Sequence, residues 1–298
     1  MRNLVYKVGI LALILSVILT GCAQQSEPQK AVETTVAVDG LGRSVQIPAK
    51  VERAISLAPN LTETLFAIGA GDRLVGVTTY CNYPEAALAV EKVGDTMTPN
   101  IERIIALKPQ LVLVSTASQL ESFMRTLDER GIAVFVAAPT DIKGVAKDMR
   151  TLGKIFGVSE SAETAVRSFE ERIAKVATEH NDKKPVSVFL QVSNEPLFTI
   201  GKESFLNEVI ETAGGISVTK DVATAYPKIS KETAAAMAPD VIILSESDDN
   251  SEPNAALKNS PAVKNGRVYK INADIISRPG PRTAEALERI ADLLSKQN

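Results

Sequence analysis

From residue 36 onward, short β-branched apolar runs alternate with amphipathic stretches of helical spacing. This alternation predicts α/β layers built on largely parallel sheets. Strands are expected at Ala54–Leu57, Leu74–Val77, Leu111–Ser115, Ala133–Val136, Val186–Gln191, Val241–Ser245 and Arg267–Ile271. Several are apolar on both faces, as strands covered by helices on either side must be. Helical spacing marks Thr62–Ala70, Ile101–Leu107, Leu120–Arg130, Ile142–Phe156, Ser204–Ala213 and Thr283–Lys296.

One stretch is longer than the rest. Over Ser159 to His180 apolar residues from Ala162 to Ala177 recur every three or four positions, with Glu and Arg opposite. About 20 residues of helix span roughly 30 Å. The chain thus divides into an N-terminal α/β lobe (36–157), a connecting helix (158–182) and a C-terminal α/β lobe (183–298). A single stiff helix restricts lobe movement more than loose strands would.

The lobes share a signature. Glu102, Pro109 and the run Leu111–Ser115 reappear as Glu232, Pro239 and Val241–Ser245, each shifted by 130 positions. Asn100 and Ser230, two residues before each glutamate, are N-cap candidates that put it in a first helical turn. The proline then ends the helix and a buried strand follows.

The N-terminus reads differently. Arg2 and Lys7 precede the apolar run Val8–Leu19, too short to span a bilayer comfortably and suited to a signal-peptide core. It leads into Leu19-Thr20-Gly21-Cys22, which resembles a bacterial lipobox; an ordinary secretory signal before a chance cysteine is the alternative. On the first reading residues 1–21 are a signal peptide, Cys22 is lipidated, and 22–35 form a lipidated tether to a membrane face outside the cytoplasm. Cys81 then has no partner in the chain, and no disulfide is expected.

Composition narrows the chemistry. A net charge of −3 over 298 residues gives no basic face for nucleic acid. One His and two Cys exclude most zinc sites, and no protein metal site or cofactor is expected. His180, at the end of the connecting helix, reads as a solvated cation favoured by the helix dipole. Without a second histidine no Ser-His-Asp or Cys-His set forms, and no Gly-x-Ser-x-Gly elbow occurs. Gly69-Ala70-Gly71 and Gly201-Lys202-Glu203 lack the context of nucleotide loops. No enzyme is expected; a secreted hydrolase is a remote alternative that lacks a base beside any nucleophile.

Binding signals sit after strands. Thr78–Pro84 gathers Tyr80, Tyr83, an amide and hydroxyls where ligands meet open α/β sheets. Tyr226-Pro227 takes the matching place in the second lobe. Asp274, Arg278 and Arg282 lie in a proline-stiffened loop and can hydrogen-bond amides or carboxylates. Plainer readings stand beside these: tyrosines half-buried for packing, solvated loop charges, and acids favoured by helix dipoles at Glu102 and Glu232. As a matched pair, the two glutamates could also meet two basic pockets on a symmetric partner.

At these residues the sequence resembles a known family from about Val51 to the C-terminus. Ser56–Glu63, Val75–Tyr80, Asn100–Ile104, Phe198–Ser204 and Ser230–Glu232 look like substrate-binding proteins of ABC importers with a helical backbone between two lobes, the class III periplasmic binding proteins, nearest to cobalamin-binding members. The resemblance implies two Rossmann-like lobes around a ligand cleft. It implies that Tyr80 and Tyr226 contact a corrinoid, Tyr226 standing where the family has tryptophan. Asp274 and Arg278 match ligand contacts, and Tyr83 joins the candidate binding set from its loop. Glu102 and Glu232 match glutamates that dock on arginines of a dimeric permease. Two further tryptophan positions are Thr96 and Ser115 here, and the chain has no Trp. The implied role is capture of cobalamin or a related corrinoid, which brings its own cobalt, and delivery by a monomer to the permease and its ATPase subunits. The same scaffold binding an iron siderophore or haem is the alternative, which Arg278 and Arg282 leave open. A surface lipoprotein without ligand fits the matched lobes poorly.

Overall fold

The computed structural model describes residues 33–115, 121–181 and 183–296. The segment read as a signal peptide, Cys22 and most of the segment read as a tether lie outside the described residues. The tether's last two residues need correcting: Thr34 and Thr35 belong to β1 (Thr34–Val38), paired antiparallel with β2 (Ser44–Pro48). Asp39 ties the turn by accepting from the Leu41 and Arg43 backbones and from the Arg43 side chain. Gly40 N–H donates to Val136 O at 2.6 Å, and a Cβ there would lie 2.6 Å from Ala138 N. Only glycine lets this hairpin close on the neighbouring sheet.

In the first lobe β3 (Ala54–Ser56), β4 (Leu74–Val77), β5 (Leu111–Ser115) and β6 (Ala133–Ala137) run parallel in the order β4-β3-β5-β6. The chain leaves β3 for one neighbour and later returns on its other side. The carboxyl ends of β3 and β5 therefore flank a topological switch point, where open α/β sheets bind ligands. The helices are α1 (Pro59–Ala67), α2 (Ile101–Ala106), α3 (Glu121–Asp128) and α4 (Ile142–Ile155). α1 starts three residues earlier than its apolar spacing suggests, because Pro59 is favourable at a first helical position. It ends earlier because Gly69, at φ 82°, turns the chain out of the helix.

The connecting helix α5 (Ser159–His180) coincides with the stretch of helical spacing, within the 158–182 assigned to the connector, and buries Ala162, Val166, Phe169 and Val176. Arg150 of α4 forks onto Glu163 and Glu170 of α5. Arg172 of α5 makes a two-point pair with Glu288 of α10 (Thr283–Ser295). One continuous apolar cluster runs from Ile47 through these α5 residues to Leu294. The rod is thus packed into both lobes, which favours small adjustments over wide hinging. Among the described residues no helix is long and apolar enough to cross a membrane.

In the second lobe β7 (Val186–Ser193) is central, with β10 (Val241–Glu246) and then β11 (Val268–Asn272) parallel on one side. On the other side β9 (Gly215–Ser217) pairs parallel with its start, and β8 (Phe198–Thr199) pairs antiparallel with its end. The remaining helices are α6 (Leu206–Thr212), α7 (Lys231–Ala236), α8 (Pro261–Lys264) and α9 (Ala273–Ile276). His180 is not freely solvated. Its ring rests on Gly214, Nδ1 lies 2.9 Å from Val176 O, and Nε2 is buried without a hydrogen-bond partner.

Candidate functional site

A cavity of about 380 Å³ opens between the lobes at the carboxyl ends of the central strands. The first lobe lines it with Pro59, Thr96 and Ser115; the second contributes Glu203, Tyr226 and Arg278. Thr96 and Ser115, the two small residues at tryptophan positions of the resembled family, both face this space.

Tyr226 is placed by backbone contacts that its own loop cannot supply. Gly201 N–H donates to Ala225 O at 2.9 Å and Lys202 N–H to Val222 O at 2.8 Å. A Cβ on Gly201 would fall 2.3 Å from Thr224 O, so the Phe198–Ser204 segment holds the tyrosine loop only with glycine at 201. Tyr226 remains 47% exposed, available to a ligand.

Beside the cavity, charged groups from both lobes converge. Glu63 of α1, its side chain 2% exposed, accepts from Arg278 Nη1 at 2.9 Å and from Arg282 Nη2 at 2.6 Å on Oε1. Its Oε2 accepts from Arg282 Nε at 2.8 Å. Arg278 also donates to Asn82 Oδ1 at 2.8 Å, to Tyr80 O at 3.3 Å, and to Asp274. Asp274 Oδ2 in turn accepts from Asn82 Nδ2 at 2.7 Å. Burial lowers the pKa of Arg282, but the hydrogen bonds and charge of Glu63 outweigh it, and the net shift is upward. Asn60 Nδ2 adds a bond to Pro279 O at 3.1 Å across the same seam.

The Tyr80 loop is anchored from beneath. Buried Cys81, a free thiol, lies 3.1 Å from the hydroxyls of Thr62 and Thr78, and Lys92 Nζ donates to its carbonyl at 3.2 Å. Tyr80 is 58% exposed and outside the cavity lining. Tyr83 is also outside it; the Arg282 guanidinium sits 4.3 Å from the Tyr83 ring centroid. The structure therefore gathers Tyr226 and Arg278 in the cavity, and sets Asp274, Tyr80 and Tyr83 along the seam. Glu63, to which sequence reasoning gave no role, is the hub of that seam.

Glu102 and Glu232 project from equivalent exposed first turns of α2 and α7. Asn100 caps one helix by accepting from Arg103 N at 2.9 Å; Ser230 caps the other by accepting from Thr233 N at 3.1 Å. The Glu232 carboxyl lies below the usual range, held by its own backbone N–H and then by the Ser230 hydroxyl. Neither glutamate lines the cavity. Among the described residues no group of three or more His, Cys, Asp or Glu could hold a metal ion.

Comparison with known proteins agrees with this architecture. The family model described as periplasmic binding protein matches residues 55–275. A vitamin B12-binding protein of Vibrio cholerae is 32% identical over 249 residues, covering 83% of this chain and 90% of that protein. A Bacillus subtilis protein described as an uncharacterized ABC transporter substrate-binding lipoprotein is 32% identical over 314 residues, covering 96% of each. The crystal structure of the periplasmic vitamin B12 binding protein BtuF of Vibrio cholerae superimposes with a TM-score of 0.72 at 31% identity, over 83% of this chain and 98% of that one. Haem-binding HmuT shares the fold, with a TM-score of 0.75 at 22% identity over 89% of this chain and 91% of that one, a likeness that speaks to fold alone. The chain belongs to the periplasmic binding protein family, the substrate-binding proteins of ABC importers.

Proposed function

We propose that this chain captures an uncharged, amide-bearing metal chelate of the corrinoid class, cobalamin or a close relative, and passes it unaltered to an ABC permease. The observation that carries this reading is the charge state of the cleft. Among the described residues its one lining cation, Arg278, is committed to Glu63, Asp274 and Asn82, while Glu203 brings a carboxyl group there. Among the described residues of that lining an anionic ferric siderophore would meet no free positive charge. Hydroxyls at Thr96, Ser115 and Ser204 suit a rim of amides instead. At about 380 Å³ the cavity is at the small end of ligand sites, so a macrocycle would sit in it with one edge in solvent.

The 32% identical relative described as binding vitamin B12 supports the same assignment. Membership of a solute-binding family makes the chain a carrier and not an enzyme. The ligand supplies its own cobalt, and the protein supplies no cofactor. The Leu19–Cys22 motif, together with a lipoprotein relative, supports export and a lipid anchor at Cys22. The monomer then presents Glu102 and Glu232 to two basic pockets of a permease dimer served by ATPase subunits. Calorimetric titration of the soluble mature chain with cobalamin, cobinamide, haemin and a ferric siderophore tests the reading. Saturable one-to-one binding of the corrinoids alone is expected; preference for haemin or the siderophore would overturn it.

A further inference from the structure

We infer that Glu63 sets the charge selectivity of the cleft: by neutralising the arginine pair behind the cavity, it makes the site reject anionic chelates. The inference rests on the cleft geometry and extends the corrinoid reading.

The cluster holds two guanidiniums, Arg278 and Arg282, and two carboxylates, Glu63 and Asp274. Its charges balance. The arginine side chains are 10% and 12% exposed and Glu63 is 2% exposed, so little water screens them. Glu63 accepts from Arg278 through Oε1 and from Arg282 through both oxygens, whereas the Asp274 carboxylate pairs directly with Arg278 and acts on Arg282 only at a distance. Loss of the Glu63 charge therefore leaves the cluster one positive charge in excess, which Glu285, paired directly with Arg289, offsets only from a distance. That charge lies on residues whose neighbours Ser277 and Pro279 form the cavity wall, with Arg278 itself in the lining. A buried unpaired guanidinium recruits an anion in the geometry that carboxylates and catecholates provide. Glu63 touches no ligand in this scheme; it is a positioning and specificity residue that acts through the Arg278–Arg282 pair, of which Arg278 lines the cavity.

The test compares wild type, Glu63→Gln, and Glu63→Gln combined with Arg278→Gln. Each is titrated with cyanocobalamin and with a triscatecholate ferric siderophore at low and high salt. For Glu63→Gln the expected result is at least about tenfold tighter siderophore binding, erased by high salt and by the added Arg278→Gln change. A merely structural role would lower the melting temperature and weaken both ligands alike, without salt dependence; that outcome overturns the inference. Asp274→Asn removes one unit of negative charge from the same cluster and gives the same readout if Glu63→Gln does not fold. Should wild type fail to bind cyanocobalamin, the corrinoid reading falls, while the siderophore gain in Glu63→Gln still decides the role of Glu63.

Discussion

Lys108 and Ala238, 130 positions apart, adopt the same left-handed backbone conformation, with φ of 47° and 45°. Each follows a short helix and precedes a proline, which disfavours further right-handed helix at the residue before it. Immediately beyond, Gln110 N–H donates to Arg53 O at 2.8 Å and Asp240 N–H to Ser187 O at 3.1 Å, so in both lobes the chain enters its sheet in the same way. The two lobes repeat one structural unit, and the repeat places Glu102 and Glu232 at matching exposed turns.

That pairing yields the first prediction. Reversing both charges, with Glu102→Arg and Glu232→Arg, should abolish uptake in a reconstituted transporter. Cobalamin affinity of the isolated chain should not change, because neither residue lines the cavity. Weakened ligand binding would show that these glutamates belong to the site and not to docking.

Tyr226 tests the cavity itself. An aromatic face against an apolar ligand surface is worth about 0.5–1.5 kcal/mol beyond its burial, so Tyr226→Ala should weaken cobalamin binding roughly two- to tenfold. Tyr80→Ala should weaken it less, since that ring lies outside the lining. The reverse order in calorimetry would move the site toward the Tyr80 loop.

The packing of the rod gives a stability prediction. A Cβ on Gly153 of α4 would lie 2.3 Å from the Ala162 Cβ of α5, so the two helices meet almost backbone to backbone. Gly153→Val should cost about 2–3 kcal/mol in chemical denaturation, as overpacking commonly does. A variant as stable as wild type would mean that the α4–α5 contact is looser than described.

Asp148 predicts a pH dependence. Burial raises its carboxyl to about 6, with Lys147 opposing only in part, and its Oδ2 is buried without a hydrogen-bond partner. The folded state therefore binds this proton more tightly than the unfolded chain does. The resulting stability is full below about pH 4 and is lost as pH rises through 6. Asp148→Asn should stabilise the fold by about 1–2 kcal/mol at pH 8 and have little effect at pH 4. Urea melts at the two pH values check this; a larger gain in acid would contradict it.

How much of this was legible along the chain depended on the range of the interactions. The buried strands and α5 announced themselves because each satisfies one period over enough residues, with proline or glycine at the ends. The β1–β2 hairpin did not, because its strands are largely exposed and Ile47 is its one fully buried apolar residue. β8 and β9 are two and three residues long, too short to show a period. Tyr226 and Arg278 were recognisable as polar loop residues near strand ends. Glu63 was not, since its partner Arg278 is 215 residues away. The available hint was an acid within the buried segment Asn60–Leu65, where a lone carboxylate must find a counter-charge.

The most direct test of the account is anomalous diffraction at the cobalt edge from crystals of the mature chain grown with cobalamin. One cobalt peak beside Tyr226, within the cavity flanked by Pro59 and Arg278, is the expected result. A peak elsewhere on the molecule, or none at saturating ligand, would contradict the claim that the interlobe cleft grips a corrinoid.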